Sequence, residues 1–346
     1  MEIDPASWNE SDEILFGRFN EFYVAFRERL EGAISGQREV LDEILAALFV
    51  GERVLTTGVS GLGKKRIVRE ISSALSLTCD RVEFTEDMTP REFVETILSR
   101  NNDYPRESVG GEFETNRLFP RVLIAEDIDR AAPKTQAVFF EAALERRLRL
   151  ERRVYELERP FFAIATRNPI ERSDACPLTE TQLDRFLFSS KMDFPKTSEE
   201  TEMVLRTSAE EFEPEPPLVS VAQFKEFQRL IRRVVVSRPV AERAVKIVRK
   251  TRPQTKISSE AVQKYVEWGA GPGASRAIVL GAKAFAAFAG RSFVEPSDLE
   301  RVAVPVLRDR IVLNKLAKSE GTDVDLLIRK ILREARIESE RDGANI

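Results

Sequence analysis

The sequence predicts an α/β core built on a mostly parallel sheet, followed by an all-helical domain. Three observations point there. From about residue 33 to 195, short apolar runs ending in polar or glycine-rich turns alternate with helical stretches. Two of those runs, Val122-Leu-Ile-Ala125 and Phe161-Phe-Ala-Ile164, are continuously apolar, as strands covered on both faces are. Beyond an acidic, proline-rich segment at 208–217, only helical spacing remains.

Taken in order, Leu15, Phe19, Phe22, Phe26 and Leu30 recur every three or four residues and predict an amphipathic helix within 14–30. Its polar face is not basic, so the apolar face is expected to pack on the next domain rather than lie on a membrane. Strands are expected at Arg53–Thr57, Arg81–Phe84, Arg121–Ala125, Pro160–Thr166 and Phe186–Ser189. A small hairpin is expected between Leu148 and Leu157, where glutamates nearly balance arginines. That balance suits a solvated face better than a nucleic-acid patch. Ser220 is the expected N-cap of a helix over 221–232. Further helices fit 238–251, 257–268, 275–289 and 296–308, and a last amphipathic one fits 322–337. The expected organisation is an N-terminal helix in 1–32, a core in 33–195, a connecting helix and linker in 196–217, a helical domain in 218–313, and a C-terminal helix and tail in 314–346.

The 346 residues include no histidine, two cysteines, and 54 Lys+Arg against 58 Asp+Glu. Without histidine there is no Ser-His-Asp or Cys-His nucleophile pair and no histidine-containing zinc site. Two thiols, Cys79 and Cys176, make neither a four-cysteine zinc site nor a disulfide framework, and they suit a reducing, cytoplasmic compartment. The net charge of -4 gives no global attraction to nucleic acid. No apolar run approaches the roughly 18 residues of a membrane-spanning helix. The acidic, polar N-terminus does not resemble a signal peptide.

Between the first strand and the next helix lies Gly58-Val59-Ser60-Gly61-Leu62-Gly63-Lys64-Lys65, followed by Arg66. This matches seven positions of G-x-x-x-x-G-K-[ST]. Glycines let successive backbone N–H groups turn toward phosphate oxygens, the helix N-terminus adds its dipole, and Lys64 reaches the β- and γ-phosphates. The eighth position departs, because Lys65 stands where a hydroxyl normally ligates Mg²⁺, and an ammonium has no lone pair. Lys65 either points to solvent or lies near the phosphates and replaces part of the metal's charge.

The strand Val122–Ala125 ends in Glu126-Asp127, at the sheet edge expected to face bound phosphates. Glu126 is the candidate for holding a metal's water shell, and Asp127 for polarising the attacking water. The next strand ends in Arg167-Asn168-Pro169. Asn168 could orient that water, or merely start a turn before proline. Arg185, in Thr181-Gln-Leu-Asp-Arg-Phe186, could reach a neighbouring subunit's nucleotide or pair locally with Asp184.

Together these residues resemble the MoxR family of AAA+ ATPases, from Ile34 to near residue 337. Ala125-Glu-Asp-Ile-Asp-Arg-Ala-Ala-Pro-Lys-Thr-Gln136 is similar to the family's A-D-E-I-N-R-A-P-P-K-T-Q. Pro160-Phe-Phe-Ala-Ile-Ala-Thr-Arg-Asn-Pro-Ile-Glu171 is similar to P-F-F-V-I-A-T-Q-N-P-I-E, Leu178–Phe186 to L-P-E-A-Q-L-D-R-F, and Trp268–Arg276 to W-G-A-G-P-R-A-S-Q. The resemblance implies an AAA+ P-loop core with a helical lid, ATP or ADP as ligand with Mg²⁺, and a homo-oligomeric or mixed ring with nucleotide between subunits. It also implies chaperone-like remodelling of partners, among them proteins with von Willebrand factor A domains. On this resemblance Asn168 is the sensor-1 residue and Arg185 an arginine finger.

Departures from the family cluster at the chemistry. Lys65 replaces a threonine, Glu126-Asp127 inverts Asp-Glu, and the sensor-2 arginine position falls on Gly273. Arg276 lies one helical turn on and is the candidate substitute. Asp309-Arg310-Ile311 stands where relatives often read His-Arg-Ile, and Arg117-Leu-Phe119 is reduced from G-P-I-F. An ångström of displacement in a catalytic group can cost about a hundredfold. Weakened hydrolysis is therefore expected, with a non-hydrolysing nucleotide-binding scaffold as the alternative.

Overall fold

The computed structural model describes residues 10–33, 37–59, 62–99, 120–170, 176–207 and 216–344. Ser60, Gly61, most of the acidic linker and Arg117–Phe119 lie outside the described residues. The first part of the chain comprises α1 (Glu10–Ala33), α2 (Arg38–Val50), β1 (Val54–Thr57), α3 (Lys64–Ala74), β2 (Cys79–Glu83), α4 (Pro90–Ser99), β3 (Val122–Glu126) and α5 (Pro133–Glu145). A hairpin of β4 (Arg147–Leu150) and β5 (Arg153–Glu156) follows, then β6 (Phe162–Arg167), α6 (Glu180–Leu183), β7 (Phe188–Lys191) and α7 (Thr197–Thr207). The remainder is α8 (Val221–Arg232), α9 (Arg238–Lys250), α10 (Glu260–Tyr265), β8 (Val266–Trp268), α11 (Pro272–Phe288), α12 (Pro296–Leu307), β9 (Val312–Leu313), α13 (Lys315–Ser319) and α14 (Val324–Ala344).

Five strands form a parallel sheet in the order β2-β3-β6-β1-β7, so β1 has a partner on each side. Both faces of this sheet are covered, which explains the continuous apolar runs. Along β3, Val122 and Ile124 join one hydrophobic core, while Leu123 and Ala125 join the other. The hairpin β4–β5 pairs antiparallel outside this sheet, as expected from its charged, alternating sequence.

The aromatic stripe of α1 packs inward. Phe19 and Phe26 are fully buried, and Phe19 meets Phe49 of α2, Phe227 of α8 and Phe288 of α11 at 5.4–6.5 Å between ring centroids. The first helix therefore joins the sheet domain to the helical domain. Ser220 caps α8 with a full capping box, its hydroxyl accepting from the Gln223 N–H. One expected helix, 257–268, is interrupted: Val262 is its single buried helical residue, and the chain turns at Tyr265 into β8. There β8 pairs antiparallel with β9, a short ribbon within the otherwise helical lid. No described helix is long and apolar enough to cross a membrane.

The lid is fastened to the sheet through residues 308–310. Arg310 is buried and donates to the carbonyls of Asp184 at 2.9 Å, Phe186 at 2.6 Å and Leu187 at 3.3 Å, and to the Asp184 carboxylate at 2.7 Å. Burial pushes its guanidinium pKa down, and Asp184 opposes that shift. Arg308 donates to the Ser189 carbonyl and makes a bidentate pair with Asp325 at 2.8 and 2.9 Å.

Candidate functional site

The glycine-rich segment leaves β1 at the carboxyl edge of the sheet. Gly58 is buried there, its N–H donating to the Arg167 carbonyl at 3.2 Å. A Cβ on Gly58 would stand 2.8 Å from Met192 Cβ and 3.1 Å from Met192 O, so only glycine fits. Gly63 is the N-cap of α3 at φ 81°, a conformation that β-carbons disfavour. Lys64 and Lys65 are the first two residues of α3, and α3 points its N-terminus along the turn. The cradle thus has the backbone features that hold phosphate: a close-approach glycine, a left-handed glycine and a helix N-terminus.

The other expected residues of this edge sit on neighbouring strands. Glu126 ends β3 and is buried; its carboxylate is ion-paired to Arg81 of β2, which also contacts Glu83 at 2.7 Å. The hydrogen bond that Arg81 donates to Glu126, with the nearby carboxylates, holds the Arg81 guanidinium above its ordinary pKa. Asp127 adopts the left-handed conformation at φ 52°, and its N–H donates to Thr166 Oγ1 at 3.1 Å. Asn168, next after β6, is buried, and its Oδ1 accepts from the Ile170 N–H at 3.2 Å. Asn168 thus makes a local turn contact at a position beside the phosphate loop.

Arg185 and Arg276 are elsewhere. Arg185 precedes β7 and is exposed; its carbonyl accepts from Arg53 Nε at 2.9 Å, at the amino edge of β1. Its guanidinium lies 5.4 Å from the Phe140 ring centroid. Asp184 pairs with Arg310, so the local Asp184–Arg185 pairing is not the one formed. Arg276 lies 3.5 Å from the Glu52 carboxylate, at the same amino edge. Gly273 opens α11 nearby, with Asp184 Oδ2 3.6 Å from where its Cβ would stand. At roughly 3.3 Å per residue, the stretch from Arg53 to Gly58 separates this edge from the phosphate loop by about 16 Å.

The family model for ATPases associated with various cellular activities matches residues 53–188, and the AAA lid model matches 258–331. Chaperone MoxR1 of Mycobacterium tuberculosis is 31% identical over 307 residues, covering 87% of this chain and 78% of the relative. The chain belongs to the MoxR family of AAA+ ATPases. YeaC of Bacillus subtilis, an uncharacterised protein, is 29% identical over 91% of this chain and 95% of its own length. The crystal structure of an ATPase candidate from Cytophaga hutchinsonii superposes with a TM-score of 0.84 at 27% identity, covering 94% of this chain and 97% of that one.

The fold makes two contacts that the sequence motifs did not reveal. One is the Arg81–Glu126 pair. The other joins two family departures: Arg167, where MoxR relatives have glutamine, donates to Asp309, where they often have histidine, at 2.8 and 3.0 Å. Ser189 Oγ also donates to Asp309, and Arg167 Nε donates to Thr57 Oγ1 at 2.6 Å. Both departures were visible in the sequence, but their pairing required knowing that β6 and residue 309 meet.

Nucleotide and metal fit this edge unequally. The loop backbone suits phosphate, and membership of the family implies nucleotide binding. The donor set suits Mg²⁺ poorly: Lys65 occupies the hydroxyl position, and Arg81 already neutralises Glu126. Among the described residues, no group of three or more Asp, Glu, Cys or His side chains converges.

Proposed function

We propose that this chain is a nucleotide-driven, chaperone-like remodeller of partner proteins, working as a ring and hydrolysing ATP slowly. Gly58, Val59, Ser60, Gly61, Leu62 and Gly63 enclose the phosphates, and Lys64 neutralises them, with Lys65 and Arg66 alongside. Glu126 and Asp127 supply the acids, and Asn168 orients the attacking water. The observation that carries the ring is the separation of Arg185 and Arg276 from their own phosphate loop. At the opposite sheet edge they stand away from their own nucleotide, which supports a role toward a neighbour's. The name Chaperone MoxR1 carried by a relative supports the remodelling reading. A partner with a von Willebrand factor A domain, a mixed ring with an active paralogue and a cytoplasmic location belong to the same proposal.

Slow hydrolysis follows from residue chemistry. Lys65 cannot ligate a metal, the inverted acids shift charge by a methylene, and Gly273 lacks the sensor arginine. The Arg81–Glu126 ion pair favours a second reading, a scaffold that binds nucleotide without turnover. Steady-state ATPase of the wild type beside Lys65→Thr/Glu126→Asp/Asp127→Glu separates the two. The remodeller reading expects measurable wild-type turnover that rises in the triple variant. A wild type with no turnover beside an active triple variant supports the scaffold, and two inactive proteins with no nucleotide binding refute both.

A further inference from the structure

A cavity of about 650 Å³ opens between the core and the lid at the amino edge of the sheet, away from the phosphate loop. Its walls come from the residues before β1, β4 and β6, from one flank of α8 and from Arg276. Seven of its lining residues are Arg or Lys, and only Glu52 is acidic. That composition stands out on a chain whose formal net charge is -4.

Three of the seven cations are committed within the protein. Arg53 pairs with Glu52 at 2.6 Å, Arg276 shares that carboxylate, and Arg232 donates to the Val50 carbonyl. Arg146, Arg159, Lys225 and Arg229 make no side-chain hydrogen bond or ion pair among the described residues, yet they face one basin. Burial, then the Arg159 and Arg147 charges, pushes the Arg146 guanidinium down, and Glu156 opposes that shift. Cations gathered with little counter-charge repel one another, and the backbone segments that carry them bring them to one basin here. A ligand bearing several close negative charges relieves that repulsion, and the volume is that of a small-molecule site.

We propose that this basin is a second anion site, taking a compact polyphosphate group, separate from the phosphate loop. Arg146 and Arg159 contact it from the core, and Lys225 and Arg229 from the lid, so the anion bridges the two domains. The site needs no ATP hydrolysis, and its lining comes from a single subunit.

The test is calorimetric titration of inorganic tripolyphosphate into dilute full-length protein carrying Lys64→Ala, which disables the phosphate loop. Binding is expected to persist, and to weaken at least tenfold in Lys225→Glu/Arg229→Glu. A milder loss is expected in Lys225→Gln/Arg229→Gln, both doubles melting near the parent and keeping nucleotide binding when Lys64 is intact. Losing two charge-assisted contacts and reversing both charges makes tenfold a conservative expectation. Complete loss on Lys64→Ala would overturn the site, as would indifference to charge reversal at 225 and 229. Binding that appears only at concentrations where the chain assembles would assign these cations to a neighbour's nucleotide and overturn it too.

Discussion

Asp309→Ala should destabilise the seam between core and lid, and the size of the effect can be worked from the contacts. Asp309 accepts three hydrogen bonds: two from the Arg167 guanidinium at 2.8 and 3.0 Å, and one from Ser189 Oγ. The paired side chains are 26% and 18% exposed, between a surface pair worth about 0–1 kcal/mol and a buried pair whose disruption costs about 3–5 kcal/mol. Removing the carboxylate strands Arg167 with only its Thr57 bond, so a loss of about 2 kcal/mol is expected. Arg167→Gln should cost less, about 1 kcal/mol, because Ser189 still satisfies Asp309. The double variant Arg167→Gln/Asp309→His recreates the family's neutral pair and should recover much of the loss. Urea unfolding followed by circular dichroism of the wild type, Asp309→Ala, Arg167→Gln and Arg167→Gln/Asp309→Ala gives the four corners of the cycle. A coupling below about 0.5 kcal/mol, or an Asp309→Ala midpoint equal to the wild type's, would show that the two departures are unrelated.

Two further outcomes follow from particular side chains. Glu43 of α2 has its Oε2 enclosed without a hydrogen-bond partner, and burial raises its carboxyl to about 7. Because the folded pKa lies above the unfolded one, the unfolded chain releases this proton first, and stability falls as pH rises from about 4.5 through 7. The shift corresponds to about 3 kcal/mol, so Glu43→Gln should flatten the pH dependence of the unfolding free energy above pH 5; an unchanged slope would refute the assignment. Arg81→Gln should free the Glu126 carboxylate and make nucleotide affinity more sensitive to chelation of Mg²⁺. Calorimetry with and without chelator should show less than about a tenfold loss in the wild type and a larger one in the variant; the reverse order would mean that Arg81 does not substitute for metal charge.

Much of the fold was legible because its signals are local. The apolar runs of β3 and β6, the glycines of the loop and the Ser220 cap each follow from residues within a few positions of one another. The 257–268 stretch shows where this stops: its helical spacing is sound to Tyr265, but the partner of Val266–Trp268 is Val312–Leu313, some 45 residues on, and no local pattern announces it. The candidate site divides the same way. The strand ends put Gly58, Lys64, Glu126 and Asn168 at one sheet edge, while the role of Asn168 rested on the family resemblance. Spacing offered no means of knowing that Arg276 sits at the other edge beside Glu52, or that Arg167 and Asp309 touch. Those facts depend on how the lid docks, and the lid docks through side chains whose partners lie 120–140 residues away.

Taken with the docking contacts, the departures at the phosphate edge share one direction. Lys65 adds a cation where relatives have a hydroxyl, Arg81 covers the acid at the end of β3, and Arg167 adds another cation directly beside the loop. Of these, Arg81 sets a fixed protein charge on an acid that a metal-dependent site keeps open. The guanidinium groups of Arg81 and Arg167 are held by Glu126 and Asp309, so they cannot follow charge as it moves to a leaving oxygen. This direction is the ground for the proposal that the chain binds nucleotide and turns it over slowly. The Arg167–Asp309 pair then gains a role beyond stability. Through the Thr57 and Gly58 contacts of Arg167, the lid is connected to the phosphate loop itself. Nucleotide occupancy could shift the seam between core and lid even where the bond to the terminal phosphate is slow to break.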